Sequence, residues 1–360
     1  MKRQLILALL LLIFLSTTIH AQQEVPFSGD RLVKLMTQNL YSGVDEEIFA
    51  VPAAENFTDL LIKVAAVYNG YFARDFPARA ERIASDVAAT RPDLIALQEA
   101  VLVRTQSPPD GPATPATDVK LDFVQILQTA LQARGLNYEV VVQSPGFDAE
   151  LPSALGFDVR HTEREVILVR ADLKVADMQL SNAQIGNFVT NCTIPSTLVG
   201  PITLTRGWAS VDVKIRGKSF RFLSTHLDPI CLPSTPLIQL GQAAELLAGP
   251  GATDLPLILA GDFNSPADGT GVTYNTLIGT GLMDAWNFIG LGNGFTCCQA
   301  PHLDNFSSSL NQRIDFVFFR GQWTALEAVN IVQNPDDRTP SLLWPSDHAG
   351  LVVKLKLPHP

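Results

Sequence analysis

Eight side chains able to hold a metal, bind phosphate or move a proton stand at the ends of apolar runs. Asn39, Glu99, His226, Asp262 and Asn264 close such runs, whereas Asp315, Asp347 and His348 open them. Carboxylate and amide oxygens suit a hard divalent cation. A histidine whose one ring nitrogen is bonded to a carboxylate has its tautomer set and can take a proton at the other. Each signal is weak alone. Gly261-Asp262-Phe263-Asn264 reads as a turn whose side chains satisfy backbone donors, and a single His226 or His348 reads as a structural histidine. Their common placement is informative: if the strands that carry the two sets run in opposite directions, all eight residues meet at one edge.

The elements that must position them follow from hydrophobic periodicity. Strands are expected at 32–40, 93–100, 137–143, 164–170, 207–215, 219–227, 255–264, 313–320 and 348–357. The run Leu255–Ala260 is unbroken, as for a strand buried on both faces. Helical spacing marks two helices within 55–90, broken near Asn69-Gly70 and Pro77, and further helices at 119–134, 237–249 and 274–282. Residues 105–118 read as a Pro/Thr loop and 171–205 as a loop or hairpin excursion with short apolar stretches. Arg216-Gly217-Lys218 reads as a hairpin turn. Arg164 and Glu165 read as strand-start charges, Phe57, Tyr68, Tyr71 and Phe72 as helix core, and His161 and His302 show no partner.

The 360 residues, 46% hydrophobic and 17% charged, exclude a disordered or fibrous chain. Residues 1–21 have a basic start, an apolar stretch too short for a comfortable membrane span and a small residue at Ala21, the pattern of a secretory signal. The expected organisation is therefore a signal at 1–21, a leader at 22–31 and one domain over 32–358, in a secreted or periplasmic, monomeric protein. Loss of the signal removes two cations and no anion, taking the formal charge from −10 to −12. That charge argues against a broad basic surface for nucleic acid, though a metal and a few local cations can offset repulsion at a site. Cys192, Cys231, Cys297 and Cys298 suit an oxidising compartment and lack zinc-ligand spacing. The sequence does not choose among their pairings, although a bond between the adjacent Cys297 and Cys298 is disfavoured by geometry.

The motifs carry a resemblance. TQNL with Asn39, LQE with Glu99, STHLD with His226, GDFN with Asp262 and Asn264, RIDFVF with Asp315 and SDH with Asp347 and His348 occur in the order seen in the endonuclease/exonuclease/phosphatase superfamily. That group includes deoxyribonuclease I-like nucleases, abasic-site endonucleases, bacterial sphingomyelinases and inositol polyphosphate 5-phosphatases. The resemblance spans roughly residues 32–357 and implies an α/β fold, a four-layer α/β/β/α sandwich of two packed mixed sheets with the site at one edge. It implies Glu99 as a metal ligand, Asp347 as a second carboxylate near the metal and Asn39 as a holder of the metal or of a phosphate oxygen. Mg2+ is the expected ion, with Mn2+ or Ca2+ as alternatives. His348 with Asp315 becomes an acid/base pair, Asp262 prepares the attacking water, and His226 and Asn264 bind the phosphoryl group. Arg206 is a candidate phosphate contact because guanidinium forks match phosphate.

The expected function is a metal-dependent phosphodiesterase using in-line water attack, with a nucleic acid as the first substrate. The alternatives are a sphingomyelinase-like phospholipase C acting on a phospholipid headgroup, which the 171–205 excursion keeps open, and a catalytically silent binding module. No Lys/Arg-rich loop suggests a multiply phosphorylated inositol ring.

Overall fold

Strands buried on both faces appear in the sequence as continuous apolar runs, and helices as apolar stripes that cover them. The computed structural model describes residues 32–173, 177–229, 235–332 and 334–357; the expected signal and leader, Cys231, His20 and His359 lie outside these. In chain order, β1 (Leu32–Asn39) leads to α1 (Asp45–Ala50), α2 (Phe57–Ala73) and α3 (Phe76–Thr90). β2 (Leu94–Gln98), β3 (Leu102–Gln106) and β4 (Asp118–Asp122) follow, then α4 (Phe123–Ala133) and the hairpin of β5 (Tyr138–Pro152) and β6 (Asp158–Arg170). Next come β7 (Met178–Asn187), β8 (Cys192–Ile194), β9 (Ile202–Leu204), β10 (Gly207–Ile215), β11 (Lys218–His226) and α5 (Thr235–Ala248). The chain closes with β12 (Leu257–Asp262), α6 (Val272–Gly279), β13 (Met283–Asp284), α7 (Ala285–Ile289), β14 (Asp315–Arg320), β15 (Thr324–Ile331) and β16 (Gly350–Lys356).

Two mixed sheets result. One has the order β15-β16-β1-β2-β6-β3-β4 with β5 also on β6; the other is β13-β14-β12-β11-β10-β7, and β8-β9 form a separate ribbon. Leu35, Ala96 and Ile167 of the first sheet pack with Val211, Phe222, Ile258 and Val317 of the second. On the outer faces, Met36, Ile95 and Leu168 meet α2, α3 and α4, whereas Leu223, Leu259 and Phe316 meet α5 and α6. This is the four-layer α/β/β/α sandwich. β1 and β2 are parallel, as are β11 and β12, while β16, β6, β10 and β14 run against them. The C-terminal ends of the first group and the N-terminal ends of the second therefore share an edge. No described helix is long and apolar enough to cross a membrane.

Several boundaries differ from the sequence expectation. The first helix pair breaks at Arg74-Asp75, where the Asp75 side chain caps α3 and Pro77 sits in its first turn. Gly70 lies inside α2 because a Cβ there would approach Val44 Cγ1 to 2.6 Å. Residues 118–122 pair with β3 before Asp122 caps α4, so the expected helix 119–134 starts later. The polar segment 144–163 is strand throughout most of its length. Of the four ring-bearing residues assigned to helix core, Tyr71 is buried but Phe57 is 60% and Phe72 47% exposed.

On α3, Asp86 pairs with Arg82 at 2.8 Å, but burial pushes its carboxyl up to about 6 against that charge, with Asp337 adding repulsion. Between about pH 4 and pH 6 the native carboxyl keeps a proton that the unfolded chain has released, so this group makes stability fall as pH rises through the window. Asp86→Asn is expected to flatten that slope and raise stability at pH 7 by up to about 2 kcal/mol, as read by urea unfolding at pH 5 and 7; an equal or lower midpoint at pH 7 contradicts it.

Candidate active site

Three adjacent strands set the centre of the site. In the ladders β11–β12–β14, His226 lies opposite Asp262 and Asp262 opposite Asp315. Gly261 permits the approach: its φ is 151° and an added Cβ would lie 2.0 Å from Thr225 O. Asp262 Oδ1 accepts from Asn264 N at 2.8 Å, and Asp262 Oδ2 accepts from Asn39 Nδ2 at 3.2 Å. The same Oδ2 lies 3.6 Å from His226 Nε2 and 3.7 Å from His348 Nε2. His348 Nδ1 is 2.7 Å from Asp315 Oδ2, and the carboxylates of Asp315, Asp347 and Asp262 hold the ring well above the usual histidine range although burial opposes them. Asn264 Nδ2 lies 3.1 Å from His226 Nε2 and donates to Leu227 O.

The other sheet supplies the acidic wall. Asn39 Nδ2 also donates to Glu99 Oε1 at 2.8 Å, and Ser42 N to Glu99 Oε2 at 2.6 Å. Asn39 Oδ1 accepts from Tyr41 N, so Asn39 bridges Glu99 and Asp262 and leaves one amide-oxygen lone pair to offer a cation. Ser346 ties this wall to the histidine: its hydroxyl donates to Asn39 O and accepts from His348 N. Arg206 Nη1 bonds Glu163 Oε1 and lies 3.0 Å from His226 Nδ1, which is itself 3.3 Å from Glu163. Seven of the nine residues expected from the sequence line one pocket, and the other two stand directly behind it, Asn39 bonded to Glu99 and Asp315 to His348. This ordered set of strand-end residues coincides with a match of the endonuclease/exonuclease/phosphatase family model to residues 36–348.

The chain belongs to this family. It is a metal-dependent phosphoester hydrolase by membership. No curated protein matches it. Among solved structures it is similar to an endonuclease/exonuclease/phosphatase from Bacteroides vulgatus, at 17% identity over 91% of this chain and 99% of that one, TM-score 0.56. D. rerio TDP2 complexed with single strand DNA product is similar at 15% identity over 91% and 100%, TM-score 0.52. The mannosyl-6-phosphatase Bt3783 of Bacteroides thetaiotaomicron VPI-5482 is similar at 18% identity over 90% and 100%, TM-score 0.51. At these identities the likeness is one of fold.

Family members need a divalent metal, and the pocket of this one fits such a cation. Asp45, Glu99, Glu163, Asp262 and Asp347 line it against Arg206 as its one fixed cation. Asp347 Oδ1 is buried without a hydrogen-bond partner among the described residues. Burial, then the charges of Asp45, Glu163 and Asp347, push the Glu99 carboxyl well up. Burial likewise pushes Asp347 up to about 7; His348 opposes this, and Asp45, Asp262 and Asp315 add to it. Glu99 and Asp347, with Asn39, are the donors that could share the ion.

Sequence reasoning missed three members of the site. Glu163, held well below the usual carboxylate range by Arg206 and His226 against its burial, fixes both of those side chains. Asp45 lines the pocket and accepts from the Ser42 hydroxyl at 2.5 Å. His161 is bonded to the Tyr71 hydroxyl and burial drives its ring down to about 4. For Glu163 and His161 the signal was the alternation His161, Glu163, Glu165 on β6. Glu165 is buried rather than a strand-start charge, and burial beside Glu163 raises its carboxyl well above the usual range. His302 contacts Arg74 Nη2 at 2.7 Å. Cys297 and Cys298 are bonded to each other across a cis peptide, the pairing that adjacent trans geometry disfavours, and Cys192 is disulfide-bonded too.

Proposed function

We propose that this enzyme is a phosphodiesterase that breaks a P–O bond by direct in-line attack of water. The charge balance of the pocket supports a diester: Arg206 is the one fixed cation in its lining, and Glu163 already engages it. A diester brings one negative charge and a monoester up to two, so the monoester is the costlier guest among these carboxylates. Asp262 Oδ2, on which Asn39 and both rings converge, accepts the proton of the attacking water, with His348 beside it and held by Asp315. His226 and Asn264 bind a phosphoryl oxygen, and Arg206 orients His226. A divalent ion at Glu99 and Asp347, Mg2+ by ligand chemistry with Mn2+ or Ca2+ as alternatives, supplies charge neutralisation at the phosphoryl group and leaving oxygen when bound.

The fold does not select the substrate, since it is shared by a TDP2 bound to a DNA product and a mannosyl-6-phosphatase. A nuclease, first from the sequence, must track a polyanion, and the pocket lining offers no second arginine or lysine for it. An apolar wall beside the pocket favours the second reading, an amphiphilic phosphodiester. On the N-terminal pattern, we place the enzyme outside the cytoplasm.

Turnover of bis-p-nitrophenyl phosphate with Mg2+, lost with EDTA and restored by excess Mg2+, is the expected result. Faster turnover of p-nitrophenyl phosphate would replace the diester with a monoester, and no turnover of either would leave a silent binding module.

A further inference from the structure

The catalytic pocket continues into a second, apolar one. Ile48, Phe49, Phe147, His161 and Leu204 line both. The second pocket opens to solvent at its mouth and leaves about 60 Å³ for the centres of water-sized groups. One wall, Ile194, Ile202 and Leu204, comes from the 171–205 excursion that the sequence read as a loop or hairpin. In the β8–β9 ribbon, Ile194 pairs with Ile202 and Cys192 with Leu204 on the inner face, while Thr193 and Thr203 bond each other outside. The ribbon is seated at its base, where Phe188 N donates to Arg206 O and Arg206 N to Asn191 Oδ1. Its placement is therefore tied to the residue that orients His226.

Resting on the phosphodiesterase reading, we infer that this pocket holds an aliphatic chain of the substrate, so that the enzyme cleaves an amphiphilic, lipid-type phosphodiester. Continuity is the first reason: the side chains that line both pockets lead from the phosphoryl site beside His226 to the apolar wall. Composition is the second. Among the fourteen lining residues His161 alone has a polar side chain, and its Nδ1 is engaged by Tyr71. A nucleobase placed there would lose water from its polar edges without gaining partners, whereas methylenes lose nothing. The rim points the same way, since Phe49 remains 39% exposed at the junction with nothing described covering it.

The test uses the intact chain and a series of alkyl p-nitrophenyl phosphate diesters, methyl to hexyl, at monomeric concentrations with Mg2+. Each buried methylene contributes about fourfold, so kcat/KM is expected to rise about 30-fold or more from methyl to hexyl. Ile202→Trp, which fills the wall, and Ile194→Asn, which makes it polar, are each expected to reduce the hexyl-to-methyl ratio about tenfold or more. That ratio does not depend on how much of a variant folds. A ratio near one in the wild-type enzyme overturns the chain site while leaving the phosphodiesterase standing. Absence of turnover even for the methyl diester overturns the underlying reading instead. Preferential cleavage of DNA or RNA, weakened by Ile202→Trp, would give the pocket to a base and overturn the inference.

Discussion

Asp262→Asn lowers kcat/KM on bis-p-nitrophenyl phosphate by about 10³-fold or more, the range for loss of a positioned base together with its electrostatic partners. The amide keeps the volume and can still accept from Asn264 N, so the backbone turn that Asp262 Oδ1 holds at 2.8 Å survives. It cannot take a proton from water, and it changes the balance around Oδ2, where Asn39 Nδ2 and the two histidines converge. Removal of one of five crowded carboxylates should leave the melting temperature unchanged or raised. Loss of rate with retained folding is therefore the signature. An Asp262→Asn enzyme within about tenfold of wild type would remove Asp262 from the chemistry.

Arg79→Leu costs about 3 kcal/mol or more of stability, since each buried carbonyl left without a donor costs about 1–3 kcal/mol. Arg79 is fully buried and donates from Nε to Arg74 O, from Nη1 to Leu40 O and Pro345 O, and from Nη2 to Tyr41 O. Its guanidinium carbon lies 4.9 Å from the Phe76 ring centroid and 5.8 Å from that of Phe123. Burial pulls the group down to about 10, still charged at neutral pH. Leucine leaves four carbonyls without a donor. Because Leu40 and Tyr41 follow Asn39 and Pro345 precedes Asp347, the surviving folded fraction should also bind Mg2+ more weakly. Arg79→Lys should fail to rescue, as an ammonium cannot reproduce the planar fork. A urea midpoint within experimental error of wild type for Arg79→Leu would contradict this account.

How much of this was legible depended on where polar residues fell relative to apolar runs. Leu257–Ala260 is apolar because both its faces are covered, so Asp262 stands out at the end, and the same holds for Asn39 and Glu99 after β1 and β2. The opposed directions of β12 and β14 then followed from which end of each run carried the carboxylate. Glu163 was invisible for the converse reason: His161, Glu163 and Glu165 point polar groups into buried surroundings, and the first half of β6 lost the apolar pattern that defines a strand. β8 and β9 have three residues each, too few for a period to show. Arg79 carries no signal in the sequence, since its partners are backbone carbonyls up to 266 residues away and carry no side-chain signature.

The β8–β9 ribbon has one more consequence. It pairs with neither main sheet, whereas His226, Asp262 and Asp315 occupy consecutive rungs of ladders that cannot slip by one residue without turning every side chain to the opposite face. Apolar exchanges at Ile194 and Ile202, away from the seat on Arg206, leave those rungs undisturbed. Selectivity can drift in this architecture while the bond-breaking apparatus stays put, and relatives that share the ladders can diverge in what they digest through the greasiness of this one appendage.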